Sequence, residues 1–293
     1  MTTSDNKQSA SAQNAEACFS PGKPLSLPEL EAVAKRLRRA IVTMIAHAGS
    51  GHPGGSLSAV EIVTALYFHI MKFKPLECHW PERDRFILSK GHAAPLLYAV
   101  LAEMGNIPLS ELATLRQVGS RLQGHTECRL VPGIEMSAGA LGQGLSFAVG
   151  AGLAARLNNE QHRIYVLLGD GECDEGQVWE AAMAGGNYKL DNLTAIVDRN
   201  NIQLVGWTKD IMNLEPFGQK WEAFGWHVIE ADGHSFPQLI DAFDKAKEIK
   251  GKPTVIIAHT IKGKGVSFME NNPEFHGKAP NAEELKIALK ELA

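Results

Sequence analysis

Two loops carry the residue types from which a metal–diphosphate site is made. Gly169-Asp170-Gly171-Glu172-Cys173-Asp174-Glu175-Gly176 follows the apolar run 164–168, and Asp198-Arg199-Asn200-Asn201-Ile202 follows the run 193–197. Asp170 and Asn200 lie 200 − 170 = 30 positions apart, about one strand–helix–strand unit, so both can stand over neighbouring strand ends. A carboxylate, an amide oxygen and a nearby backbone carbonyl are hard ligands for Mg²⁺ or Ca²⁺, with positions left for phosphate oxygens or water. The glycines flanking Asp170 let a diphosphate approach the backbone. The carboxylate alone would repel that diphosphate, so a bridging cation is required.

The histidines supply a second constellation. His52 lies in SGHPGG, His92 in SKGHA, His125 in GHT and His276 in FHG. Each adjoins glycine in a loop-like setting, where functional side chains are usually presented, and imidazole exchanges protons near neutral pH. His69, His79 and His162 have no such setting and read as ordinary structural or surface residues. Rival motifs are weaker. GALGQG at 139–144 has its glycines in the wrong order for a dinucleotide fingerprint, and no phosphate-loop or HExxH pattern occurs. Glu175 occupies the place of the turn glycine that a calcium-binding EF-hand needs.

Elements must bring these loops together. Leu30, Val33, Leu37, Ile41 and Ile45 recur at helical spacing, with Ser26 as cap and Pro28 in the first turn. Lys35, Arg36, Arg38 and Arg39 are expected on its solvated face. Gly49, Gly51, Gly54 and Gly55 break that helix, and a second is expected over 58–71. Strands are expected at 164–168, 193–197, 226–229 and 254–258, with helices near 177–188 and 236–249. This alternation predicts an α/β, doubly wound, mostly parallel sheet flanked by helices, with ligands at the carboxyl ends of the strands. Residues 1–26, rich in Ser, Asn, Gln and Ala, read as a mobile arm; residues 27–293 read as one α/β domain.

Composition narrows the class. Of 293 residues, 44% are hydrophobic and 21% charged, which excludes a disordered or collagenous chain. With 29 basic against 33 acidic residues there is no field for nucleic acid or an anionic membrane. Basic residues form no stripe interleaved with aromatics. Cysteines at 18, 78, 128 and 173 make no Cys-x-x-Cys pair, which suits a reducing compartment. The first residues lack a signal peptide's basic and apolar regions, and no apolar run approaches the roughly 20 residues of a membrane helix. A soluble cytoplasmic protein is expected.

Gly169-Asp170-Gly171 with Asn200-Asn201 resembles the thiamine diphosphate motif. Together with SGHPGG, LSKGHAAPLLY and GALGQG it makes the chain, over about 37–280, similar to the amino-terminal half of transketolase. Ala140 stands where the family's turn commonly has proline. The resemblance implies a thiamin diphosphate-binding fold, with Mg²⁺ (replaceable by Ca²⁺ or Mn²⁺) on Asp170, Asn200 and the carbonyl of Ile202. It implies cofactor contacts from His92, Gly139, Ala140, Leu141, Gly171, Asn200 and His276. His52, His92 and His125 would face the substrate, with His276 near the diphosphate. Glu175 and Glu180 match acids at the family's subunit interface that couple the paired active sites, and Glu175 joins the four histidines as a catalytic residue.

The implied activity is transfer of a two-carbon ketol unit from a ketose phosphate to an aldose phosphate, as in the pentose phosphate pathway. Whole transketolases continue into pyrimidine-binding and carboxy-terminal domains. About 90 residues follow Asn201, fewer than another domain of roughly 100–150 residues needs once the last strands are built. The expected arrangement is therefore a split enzyme, an α2β2 heterotetramer whose second chain supplies the pyrimidine site. Two rivals are the α-subunit of a 2-oxoacid dehydrogenase decarboxylating component and a noncatalytic thiamine diphosphate-binding protein. SGHPGG and the GHA setting of His92 favour transketolase over the former.

Overall fold

A computed structural model of the protein describes residues 23–293. Five strands, β1 (Arg85–Leu88), β2 (Ile164–Gly169), β3 (Leu193–Arg199), β4 (His227–Asp232) and β5 (Thr254–His259), form one sheet in the order β1-β2-β3-β5-β4. Every neighbouring pair is parallel. Parallel strands need covered crossovers, and the sequence supplies apolar side chains for both faces. In β2, Tyr165 and Leu167 join the core on one side, whereas Ile164, Val166 and Leu168 join the core on the other.

Helices cover each side. The first core takes α1 (Leu27–Ala48), α2 (Pro53–Ser58), α3 (Val60–Ala65) and α4 (Ala94–Glu103). The opposite core takes α5 (Gln143–Leu157) and α6 (Gly176–Asn187). Beyond the four-residue helix α7 (Thr208–Ile211), α8 (Phe217–Ala223) packs with α5 and α6. The helices α9 (Phe236–Glu248) and α10 (Ala282–Glu291) return to the first side. Helix α1 starts where expected: the Glu29 carboxylate accepts Ser26 N–H at 2.7 Å, and Gly49 ends the helix at φ 60°.

Several expectations are corrected. Strand β1 is not apparent from the sequence pattern, and β4 runs on to Asp232 rather than stopping at 229. The helix expected over 58–71 is instead α2, α3 and a π-turn at Leu66–Ile70. Arg38 is buried, not solvated. Its guanidinium holds the Glu61 carboxylate at 2.5 and 2.8 Å and donates to Lys264 O at 3.0 Å. Arg39 donates to Leu289 O at 2.8 Å. Lys35 and Arg36 are exposed, as expected. The reading of 1–26 as an arm falls largely outside the described residues. At its end, Leu25 N–H donates to Phe68 O at 3.0 Å and its carbonyl lies 2.8 Å from His69 Nδ1.

Glu61 is shared. Its second oxygen lies 2.9 Å from His234 Nδ1, while His234 Nε2 accepts Ile261 N–H at 2.8 Å, which fixes the proton on Nδ1. Burial opposes the Glu61 charge, but hydrogen bonds from His234 and Arg38 hold its carboxyl down at about 2. Removing one partner of a buried pair strands the other. Glu61→Ala should therefore cost about 3–5 kcal/mol, read as a lowered denaturant midpoint. A loss below about 1 kcal/mol, the level of a surface pair, would contradict the burial argument.

Candidate active site

The carboxyl ends of β1, β2, β3 and β5 open onto one set of loops. After β1, Lys90 Nζ donates to Gly55 O at 2.7 Å and pairs with Asp198 at the end of β3. Both side chains are wholly buried. Asp198 also accepts Ser58 Oγ at 2.6 Å, Asn200 Nδ2 at 3.1 Å and the hydroxyl of Thr260. Burial alone would raise the Asp198 carboxyl; the Lys90 charge and these donors bring it below its ordinary value.

The bond to Asp198 turns the Asn200 amide so that its Oδ1 accepts Ile202 N–H at 3.1 Å. Asp170 is fixed from both sides: Oδ1 accepts Gly171 N–H at 2.8 Å and Oδ2 accepts Asn201 N–H at 2.5 Å. Burial, then the Asp198 charge, push its carboxyl up to about 6. Gly171 cannot be replaced cheaply, since a Cβ there would lie 2.7 Å from Gln203 Cβ. The Ile202 carbonyl accepts Lys262 Nζ at 2.7 Å, and that ammonium lies 2.9 Å from His276 Nδ1. Burial and the Lys90 charge draw Lys262 down to about 8.

The GALGQG turn is tied on by Glu172. One oxygen accepts Ser89 Oγ at 2.5 Å and Gly142 N–H at 2.9 Å; the other accepts Gly169 N–H at 2.9 Å. Gly139, Ala140 and Leu141 are exposed beside this anchor. A Cβ on Gly139 would meet nothing within 4 Å, so internal packing does not explain that glycine.

All four glycine-flanked histidines converge. Ring centroids are 5.4 Å apart for His52–His92, 6.2 Å for His52–His125, 5.5 Å for His52–His276 and 5.2 Å for His92–His276. Burial lowers every one. Neighbouring cations add to it, Arg116 at His52 and His125, Lys90 at His92 and Lys262 at His276. His52 falls to about 4 and His276 to about 3. The cluster is therefore neutral at pH 7, each ring offering one donor and one acceptor. His52 Nδ1 is buried without a partner. Glu175 stands apart, exposed at the start of α6, and Glu180 is exposed further along that helix.

Sequence reasoning missed Lys90, Lys262, Asp198 and Glu172. The signal was present: Lys90 directly precedes Gly91-His92, and Lys262 opens Lys262-Gly263-Lys264-Gly265 after β5. Among the described residues no three His, Cys, Asp or Glu side chains converge as a metal site. The donor set here is one carboxylate, one amide and one carbonyl. A buried carboxylate beside Asp198, with the unpartnered Gln203 Oε1 near Gly171, fits a hard divalent cation.

A parallel α/β domain with its site over the strand ends is the architecture of the diphosphate-binding part of transketolases. The structure superposes on transketolase from Campylobacter jejuni with TM-score 0.86 and 35% identity, covering 92% of this chain and 43% of that one. The Leishmania mexicana transketolase gives 0.85 and 34%, covering 92% and 42%. Residues 30–293 match the family described as transketolase, thiamine diphosphate binding domain, and the chain belongs to that family. It is 47% identical over 269 residues to a protein of Actinobacillus succinogenes named as one of the subunits of apulose-4-phosphate transketolase, spanning 92% of this chain and 97% of that one. It is 46% identical over 264 residues to the 6-deoxy-6-sulfo-D-fructose transketolase subunit SqwG of Clostridium sp., spanning 90% and 96%. It spans about two fifths of the solved transketolase chains.

The lowered histidines have a cost in acid. As pH falls below about 6.5, unfolded histidines take up protons that the folded cluster refuses, so stability falls toward pH 4. The thermal midpoint should drop through this window, less steeply in His276→Gln. Identical slopes would mean that His276 protonates within the fold.

Proposed function

We propose that the chain is the diphosphate-binding subunit of a two-chain transketolase that moves a two-carbon ketol unit from a ketose phosphate to an aldose phosphate. The observation that carries this reading is the meeting of four neutral histidines above the Asp170–Asn200–Ile202 loops. Thiamine diphosphate, when bound, supplies the carbon nucleophile and the electron sink for breaking the C–C bond.

The chain's own residues do the rest. Asp170, Asn200 Oδ1 and the Ile202 carbonyl would hold Mg²⁺, or Ca²⁺ or Mn²⁺ by the same oxygen chemistry. Lys262 and His276 face the diphosphate, with Gly171 leaving room for it. His92 and the exposed Gly139, Ala140 and Leu141 border the cofactor. His52, His92 and His125 donate to the ketose carbonyl oxygen and accept the hydroxyl proton as the bond breaks, roles that neutral imidazoles can fill. Glu175 and Glu180, being exposed, are available to couple subunits.

The partner is a separate chain carrying the pyrimidine-binding half, in an α2β2 assembly. Two relatives named as subunits support this, because they match the chain over nearly their full length. Among the described residues no helix is long and apolar enough to cross a membrane, which fits a cytoplasmic setting. The names of those relatives support an anionic sugar as substrate, in the pentose phosphate pathway or a neighbouring branch of carbohydrate metabolism.

Asp170→Ala should abolish Mg²⁺-dependent thiamine diphosphate binding in titration calorimetry; unchanged affinity would remove Asp170 from the site. Ketol transfer from xylulose 5-phosphate to ribose 5-phosphate should be absent with this chain alone and appear on mixing with the pyrimidine-domain chain. In that mixture His52→Ala should lower turnover roughly 10²-fold or more at an unchanged thermal midpoint. A wild-type rate would exclude His52 from catalysis.

A further inference from the structure

One buried acid has no part in the chemistry proposed above. The Glu172 carboxylate meets only donors: Oε1 accepts Ser89 Oγ at 2.5 Å and Gly142 N–H at 2.9 Å, and Oε2 accepts Gly169 N–H at 2.9 Å. Ser89 Oγ in turn accepts Gly144 N–H at 3.2 Å. One side chain thus gathers the end of β1, the end of β2 and the start of α5. A buried carboxylate committed to three donors is not free for a ligand, so its effect on the site must pass through what it holds.

Its hold differs at the two ends. Beside Gly169, Asp170 has ties of its own: its N–H donates to Asp198 O at 3.3 Å, and its carboxylate accepts the N–H groups of Gly171 and Asn201. The GALGQG turn has no such second set. Ala138 N–H donates to Thr126 O at 3.0 Å, and the N–H groups of 139–141 have no bonded partner among the described residues. The next fixed amides are Gly142, at φ 80°, on Glu172 and Gly144 on Ser89. A Cβ on Gly144 would run into Ser89 Cβ, and one on Gly91 would stand 2.7 Å from Ala138 Cβ, so the turn lies directly against the segment leading to His92.

With these amides spent on a carboxylate, the positive end of α5 is answered within the protein. What the turn presents outward is Gly139, Ala140 and Leu141, exposed and uncharged. That surface suits the face of a flat ring and offers nothing to a diphosphate. We propose that Glu172 is a positioning residue for the ring portion of the cofactor: through Gly142 and Ser89 it sets where 139–141 stand, while other loops hold the diphosphate. The inference rests on the cofactor reading above and deepens it, dividing recognition into two separately fixed parts.

The test compares thiamine diphosphate with inorganic diphosphate, which has no ring, by titration calorimetry of the two-chain assembly in Mg²⁺. Glu172→Ala should weaken thiamine diphosphate roughly tenfold or more and leave inorganic diphosphate within about twofold. Glu172→Gln should recover most of that loss, because its one oxygen can face Ser89 and Gly142 with the amide left at Gly169. Ser89→Ala spares the Gly169 bond and should show the same selective loss on a smaller scale; it decides the matter if Glu172→Ala does not fold. Equal losses for both ligands, no loss for either, or a Gln variant that behaves like Ala would overturn the proposal. Hydrogen exchange of the chain alone reads the tie without any ligand. The amides of 142–144 should exchange faster in Ser89→Ala and Glu172→Ala, with those of 193–199 unchanged. Unaltered exchange at the turn overturns the proposal as well. A wild type that binds neither ligand would sink the cofactor reading instead, leaving hydrogen exchange to judge whether Glu172 holds the turn.

Discussion

The Lys90–Asp198 pair is the constraint on which the site depends. Removing both charges from water is expensive, and their attraction offsets that only when the remaining donors and acceptors are filled. Here they are filled by Gly55 O, Ser58 Oγ, Thr260 Oγ1 and Asn200 Nδ2. Those partners come from α2, from the end of β5 and from the loop after β3. The segments that carry His92, His52, Asn200 and Lys262 are thereby referred to one buried point. Moving any one of these loops away would leave a buried donor or acceptor of the pair unfilled.

That pairing leaves a charge pattern suited to a ligand. Asp198 is paired with Lys90, yet the Asp198 charge still adds to burial in raising Asp170, and the Lys90 charge adds to burial in lowering Lys262. Burial works against the charged form of each. A divalent cation would stabilise the Asp170 carboxylate, and a diphosphate would stabilise the Lys262 ammonium, so the two bound groups answer the two uncompensated charges. The histidines stay neutral in the same field. The cations that depress them, Arg116, Lys90 and Lys262, also set a positive field around the rings, so the neutrality of the histidines and any attraction for an anion there would share one physical origin.

How much of this could be read from the sequence follows from which interactions are local. β2, β3 and β5 announce themselves as apolar runs ending in polar loops, and the 30-residue spacing of Asp170 and Asn200 follows from the strand–helix–strand unit. Glycine beside each histidine marked loops that do converge. β1 escaped because its four residues, Arg-Phe-Ile-Leu, follow Arg83-Asp84 and offer too short a run. The break of the expected second helix near Ala59 and the π-turn after Ala65 leave no trace in hydrophobic spacing. Arg38 looked solvated because its neighbours are basic, whereas its partners Glu61 and Lys264, and His234 beyond Glu61, are brought to it by the tertiary fold. Lys90 and Lys262 stand in motifs that mark them, but their partners were illegible for the same reason: which carboxylate or carbonyl a lysine's long stem reaches is set by the tertiary fold.

The Arg38–Glu61–His234 relay shows how the last third of the domain belongs to the site. His234 Nε2 accepts the N–H of Ile261, the residue before Lys262, and His234 is itself held by Glu61. Glu61 sits on α3 and Arg38 on α1, so the first helices brace the loop after β5 from behind while Thr260 bonds Asp198 from the front. A lysine stem has many rotamers, and ordering it costs entropy. Fixing the backbone on both sides of Lys262 reduces what the ligand must order. Under the proposed function, preorganisation of this kind would let a diphosphate meet an ammonium and an imidazole already in place, on loops that are distant in sequence but tied together by these bonds.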